Sequence, residues 1–135
     1  DGASVQGGPL PPGLEVEGFV SDVRAAYRRA EVVIAPLLAS AGTNIKIMEA
    51  MAMGKAIVST PAGVNGLDLH PPEDVIVVPT GKQMAEEILD LFRHPQRRRS
   101  IEQAARLTVE RSFSWDSIAA AQARLYRELT GGRAR

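Results

Sequence analysis

Apolar positions in this chain fall into two patterns. Some are short blocks, apolar at almost every position; others recur every three or four residues over longer stretches. Glu31-Val-Val-Ile-Ala-Pro36 is a block of the first kind after its leading residue, the pattern of a strand covered on both faces in a parallel sheet. Pro36 ends it, because proline has no N–H to donate to a ladder. Residues 56–60, Ala-Ile-Val-Ser-Thr, and 75–78, Val-Ile-Val-Val, predict two further buried strands. Leu14-Glu-Val-Glu-Gly-Phe-Val20 alternates, and predicts a short first strand. The helical spacing predicts five helices. The first runs from a cap at Ser21 or Asp22 through Ala30, with Val23, Ala26, Tyr27 and Ala30 turned inward. The second occupies residues 44–53, the third 82–93, and the fourth runs from Pro95 to about Glu110 with Ile101, Ala104, Ala105, Thr108 and Val109 buried. The fifth is capped by Ser114, turns Ile118, Ala121, Leu125 and Leu129 inward and stops at Gly131-Gly132; Arg133-Ala-Arg135 is expected to fray.

The order strand, helix, strand, helix, strand, strand, helix predicts an α/β fold, a Rossmann-like parallel sheet flanked by helices. The chain reads as one domain with three parts. Residues 1–13, rich in Gly and Pro, form an irregular lead-in; 14–93 form the α/β part; 94–130 form the C-terminal helices. Residues 61–67 are expected to turn, with one helical turn at most, and 68–74 to form a loop.

The stretch between the two buried strands carries the chemistry. Its loop, Ala39-Ser-Ala-Gly42, has nothing bulky in it, so a ligand could approach the backbone closely. Thr43 or Ser40 could cap the helix that follows, whose free N–H groups and dipole would favour an anion such as a diphosphate. Plotted at about 100° per residue, Ile45, Ile47, Met48, Met51 and Ala52 form the arc expected to be buried. Lys46, Glu49, Ala50 and Met53 take the other face, and Gly54 supplies a left-handed stop. Lys46 and Glu49 lie three apart, and the plain reading of the two is a surface ion pair worth a few tenths of a kcal/mol.

Gly42-Thr-Asn-Ile-Lys-Ile-Met-Glu-Ala-Met-Ala-Met-Gly54, the strand after it and Gly63-Val-Asn-Gly-Leu67 together resemble the donor-binding region of family 4 retaining glycosyltransferases. The likeness is to the branch with Gly-Thr-x-x-Lys-x-x-Glu-Ala-Met-Ala-x-Gly, and it extends from Val16-Glu-Gly-Phe-Val20 to Phe113-Ser-Trp115. It implies the C-terminal domain of a two-domain GT-B enzyme that takes a nucleotide-diphosphate sugar as donor. Gly42, Thr43, Asn44, Ile45 and Lys46 would then hold the donor diphosphate, and Glu49 the ribose hydroxyls. Gly18 and Gly63 would lie near the base or sugar, although a glycine needed only for the strand-to-helix bend explains Gly18 equally well. The resemblance implies no cofactor and no bound metal. It also implies a saccharide or lipid-linked acceptor held by an N-terminal domain, and a place in cell-envelope polysaccharide or glycoconjugate synthesis. Catalytic residues are not assigned. Two departures stand out. Many members carry a second glutamate eight positions before the ribose-binding one, where this chain has Ala41, a trait its branch shares. The strand, helix and strand that open the family's C-terminal domain, with basic residues for the diphosphate, have no counterpart in residues 1–13. The chain is therefore expected to be the latter part of a donor-binding domain, an expressed fragment or a truncated gene product, inactive alone. Its last helix would lack the N-terminal domain it crosses to in the family. An open sheet edge invites a homodimer.

Composition narrows the alternatives. In 135 residues, 16 basic and 16 acidic side chains cancel, so no global field draws nucleic acid. The absence of cysteine excludes disulfides, thiolate metal sites and a cysteine nucleophile. His70 and His94 sit beside prolines with no second ligand at metal spacing. Arg97-Arg-Arg99 reads as a solvated helix face, without the aromatic residues that stack on bases. Trp115 reads as a core anchor for the last helix. With no long apolar run and no secretory pattern, the chain is expected to be cytoplasmic, with the full-length protein peripheral to the inner face of the membrane. Two other readings compete: a GT-B-fold sugar-nucleotide epimerase or phosphorylase, and a non-enzymatic α/β module that binds a nucleotide or a partner.

Overall fold

All four residues of the strand Ala56–Ser59 are fully buried, and the other elements are arranged around it. In the computed structural model, which describes residues 10–40 and 42–131, the element order is α1 (Val23–Arg29), β1 (Val32–Ala35), α2 (Ile45–Ala52), β2 (Ala56–Ser59), α3 (Pro61–Val64), β3 (Ile76–Val77), α4 (Gly81–Arg93), α5 (Pro95–Ser112) and α6 (Trp115–Leu129). The strands form a parallel sheet in the order β1-β2-β3. Val32 pairs with Ala56 and Ala35 with Ser59, while Val58 pairs with Ile76 and Ser59 with Val77. This is the expected α/β sheet flanked by helices. Residues 1–9 of the lead-in expected at 1–13, Ala41, and the chain end from Gly132, where fraying is expected, lie outside the described residues.

Alternate side chains of β2 enter two cores, as the strand period requires. Ile57 packs with Ile47, Ala50, Met51, Val75 and Ala105 on one side. Ala56 and Val58 pack with Ile76, Met84, Leu91 and Ile101 on the other. Fully burying one of the Val, Ile, Leu or Met side chains among these contributes roughly 1.5–3 kcal/mol. Helix α5 serves both cores, through Ile101 in one and Ala105 in the other. The loop before β3 is fastened to α5 by Asp74, 1% exposed, which accepts hydrogen bonds from the His70 N–H at 2.9 Å and the Thr108 hydroxyl at 2.8 Å.

Several expectations need correction. Residues 14–20 form no strand; Leu14 and Val16 are 48% exposed, because alternation makes a strand only where a neighbour completes its ladder. That segment is tied down by Glu17, whose carboxylate pairs with Arg29 at 2.8 Å. Strand β1 is not covered on both faces: it lies at the sheet edge and Ile34 is half exposed. In α2 the buried face is Ile47, Ala50 and Met51, while Ile45 is 63% exposed, so the arc is rotated from the expected one. Gly54 is the left-handed stop, at φ 63°. In α1, Val23 is exposed and Ala26, Tyr27 and Ala30 are half-buried.

The largest correction concerns α6. Ser114 caps it as expected, accepting from the Ser117 N–H at 3.2 Å. Yet none of its residues is buried: Ile118, Leu125 and Leu129 are exposed, and Trp115, at 86% exposure, anchors nothing. The apolar stripe is present, but no other described element covers it. The arginine run, in contrast, is less solvated than expected. Arg97 pairs with Glu87 and Asp90 of α4, and Arg98 reaches Glu31 ahead of β1 at 2.6 Å. Two cations also close helix ends: Lys55 Nζ donates to the Ala30 carbonyl at 2.9 Å, and Arg106 donates to the Ala52 carbonyl.

Two outcomes follow for stability. The hydrogen bond from Arg97, helped by His94, holds the Asp90 carboxyl below its ordinary value. A depressed carboxyl stabilises the fold above the usual carboxylate range, and that contribution is lost as pH falls through the depressed value. The wild type should therefore lead an Arg97→Gln variant in urea midpoint at neutral pH, and the gap should close between about pH 5 and about pH 2. Helix α3 generates the second. A Cβ on Gly63 would stand 2.1 Å from Ser59 Oγ and 3.2 Å from the Ala35 carbonyl. Gly63→Ala should cost about 1–3 kcal/mol by chemical denaturation. In a Ser59→Ala background the cost should shrink, the mark of a direct clash.

Candidate functional site

The three strands are parallel, so Ala35, Ser59 and Val77 end at one edge of the sheet, and α2, α3 and α4 start from that edge. In open parallel sheets ligands bind outside these carboxyl ends. Here the edge is knit together around Thr60. Its hydroxyl donates to the Leu37 carbonyl at 2.5 Å and accepts from the Gly63 N–H at 3.3 Å, while its own N–H reaches the Ala35 carbonyl at 3.3 Å. A shallow cleft of about 310 Å³ opens there, lined by Leu37, Leu38, Thr60, Pro61, Ala62 and Pro79.

The turn from β1 into α2 crosses this edge. Gly42 has φ 144°, a backbone that only glycine adopts without strain, and Ser40 Oγ donates to the Gly42 carbonyl at 3.1 Å. Neither Ser40 nor Thr43 caps α2. The cap position is Asn44, whose side chain makes no cap hydrogen bond. Its amide nitrogen instead donates to the Gly63 carbonyl at 2.7 Å and to Ser40 Oγ at 3.0 Å. An amide can be spent this way because it donates as well as accepts. The consequence is electrostatic. Among the described residues, the backbone N–H groups of Thr43, Asn44, Ile45 and Lys46 have no hydrogen-bond partner, and they lie at the positive end of the α2 dipole.

Gly42, Thr43, Asn44, Ile45 and Lys46 thus fall on one turn, and the Asn44 amide links Gly63 to it. Gly18 is separate from that cluster. It lies in an exposed segment without regular structure, and a side chain there would meet nothing within 4 Å. Its φ is not positive, so the bend itself does not demand glycine.

Glu49, one turn beyond Lys46, projects from the exposed side of α2. The expected Lys46–Glu49 ion pair is not formed; among the described residues no carboxylate is within pairing distance of Lys46. Glu49 is met from α1 instead. The Tyr27 hydroxyl lies 3.2 Å from Glu49 Oε2 and 3.4 Å from the Lys46 carbonyl. Burial, then the bond to this carboxylate, pushes the Tyr27 hydroxyl above its ordinary value. Val23, Arg24, Tyr27, Glu49, Ala52 and Met53 line a largely apolar groove of about 220 Å³ between the two helices.

Sequence reasoning found this turn but missed two of the residues that organise it. Tyr27 was read only as a core residue, and Thr60 only as the end of a strand. Both contacts span about twenty residues, and local spacing carries no signal for them. No group of three or more His, Cys, Asp or Glu among the described residues is placed to hold a metal, and no described helix is long and apolar enough to cross a membrane.

Known proteins share this fold. The C-terminal domain of a glycosyl transferase group 1 family protein from Francisella tularensis superposes with a TM-score of 0.67 at 23% identity, over 73% of this chain and 53% of that one. Sucrose-phosphate synthase from Thermosynechococcus elongatus matches with a TM-score of 0.66 at 26% identity, over 81% of this chain and 28% of that one. A glycosyltransferase from Rickettsia africae matches with a TM-score of 0.71 at 21% identity, over 86% and 32%. The chain thus spans between 28% and 53% of the length of these solved structures, and the fold is that of a GT-B C-terminal domain. No curated protein matches it. The profile described as glycosyl transferases group 1 matches residues 3–94, more than half of the chain, and this chain belongs to that family.

Proposed function

We propose that this chain is the part of a retaining glycosyltransferase that binds a nucleotide-diphosphate sugar, with Gly42 to Lys46 at the diphosphate and Glu49 at the ribose. One observation carries the reading. The Gly-Thr-x-x-Lys-x-x-Glu pattern lies on a turn whose first helical N–H groups have no hydrogen-bond partner among the described residues, at the carboxyl edge of a parallel sheet, with a lysine and a carboxylate one turn apart and unpaired with each other. An epimerase or phosphorylase, or a non-enzymatic module, is not favoured, since the family and two of the three neighbours are glycosyltransferases by name.

The proposed chemistry needs little more than this. When the bond between the anomeric carbon and the diphosphate breaks, the sugar becomes oxocarbenium-like and negative charge grows on the leaving phosphate. Fixed dipoles and a cation aimed at that phosphate stabilise the transition state more than the ground state. The N–H groups of Thr43, Asn44 and Ile45 would supply the dipoles and Lys46 the cation; no metal is required of such a site. In this reading a saccharide or lipid-linked acceptor is held by a separate domain, and the sugar transferred is a hexose used in envelope polysaccharide or glycoconjugate synthesis.

Calorimetric titration with UDP, GDP and their monophosphates tests the assignment. Diphosphates should bind more tightly than monophosphates. Lys46→Ala should weaken the diphosphates by about tenfold or more, the scale of one charge-assisted hydrogen bond, and the monophosphates less. Glu49→Ala should weaken both classes. Equal affinities for all three proteins, or no nucleotide bound by any, would contradict the assignment.

A further inference from the structure

The carboxylate assigned to ribose lies on an exposed helix face, where a glutamate ordinarily samples several rotamers. Three apart on the same helix is a lysine with which it would otherwise pair. A pair of that kind would remove the ribose acceptor and the phosphate cation together. Glu49 is instead engaged by Tyr27, a half-buried residue reaching across from α1. A phenol has one proton to donate, and of its two neighbours the carboxylate Oε2 is both the nearer, at 3.2 Å against 3.4 Å for the Lys46 carbonyl, and the charged one. Among the described residues Glu49 Oε1 has no partner.

We infer that Tyr27 is a positioning residue for donor binding: its hydroxyl holds Glu49 by Oε2, keeps it off Lys46 and leaves Oε1 open to a ribose hydroxyl. This rests on the reading of Glu49 given above. The Tyr27 ring also packs against the α2 core, so the hydroxyl stands on a fixed support, unlike a donor on a flexible surface chain. The groove between α1 and α2 reaches from Val23 to Met53 and contains both members of the bond, so a ligand seated against Glu49 meets the tyrosine face as well.

Tyr27→Phe keeps the ring and removes only the donor. The test measures binding of UDP or GDP, and of the matching 2′,3′-dideoxy nucleotide, to the wild type, Tyr27→Phe, Glu49→Ala and the double variant, with urea unfolding of each. Tyr27→Phe should keep its unfolding midpoint and lose about three- to tenfold in affinity for the ribonucleotide, the scale of one hydrogen bond. The dideoxy nucleotide should bind both proteins alike, and the double variant should be no weaker than Glu49→Ala alone, because both changes remove one contact. If Glu49→Ala weakens the ribonucleotide and Tyr27→Phe does not, Tyr27 only packs helices and the inference falls while the ribose reading stands. If Glu49→Ala binds like the wild type, or nothing binds, the ribose reading falls and the inference with it. An equal loss for ribo- and dideoxy nucleotides in Tyr27→Phe would also overturn it, as a general disturbance of the groove.

Discussion

Complete burial of β2 is the constraint on which the rest of the structure depends. A four-residue strand with no exposed position must be covered on both faces and paired on both edges, and each requirement recruits an element. Ile57 draws in α2 and Ala105 of α5, while Ala56 and Val58 draw in α4 and Ile101 of the same α5. Pairing on both sides fixes β1 and β3 in parallel, so three strand ends and three helix starts meet at one edge. The candidate site is placed by that meeting. Gly63 lies so close to Ser59 and Ala35 that α3 touches the sheet, and its carbonyl is then within reach of Asn44.

The chemistry of the edge follows from where hydrogen bonds are spent. Asn44 ties the α2 turn to α3 through its amide nitrogen and makes no cap bond to its own helix, and the first N–H groups of α2 have no partner among the described residues. Tyr27 engages Glu49, and Lys46 is left without a carboxylate among the described residues. Both choices replace a local contact within α2 by a contact to another element. Local contacts alone would have neutralised the turn.

Much of this was legible in the sequence. Unbroken apolar runs marked β1 and β2, Gly54 marked the helix stop, and the spacing of Gly42, Lys46 and Glu49 marked the turn to which the proposed site is assigned. What failed did so for a common reason: local pattern reports what a segment can bury, not what is present to bury it. Residues 14–20 alternate but have no neighbouring strand among the described residues, and Ile34 faces an edge that nothing described covers. The stripe of α6 through Ile118, Leu125 and Leu129 is helical in spacing yet exposed, with Trp115 beside it. The α2 face was misjudged by a smaller margin: Ala50 is small enough for the close approach of a neighbour, whereas Ile45 stands at the helix start, beyond the core. The arginine run was read as solvated because its partners Glu31, Glu87 and Asp90 are distant or on another helix.

That the α2 turn holds a nucleotide diphosphate is the central claim, and amide chemical shifts followed during titration of UDP or GDP into the labelled chain test it most directly. The account predicts that the largest changes fall on the N–H groups of Gly42 to Lys46, with smaller ones at Gly63, Tyr27 and Glu49, and that the α4–α5 corner around His94 stays still. Saturable shifts confined to residues 70–74 and the facing side of α5, or no shifts at all in the α2 turn at saturating nucleotide, would contradict it.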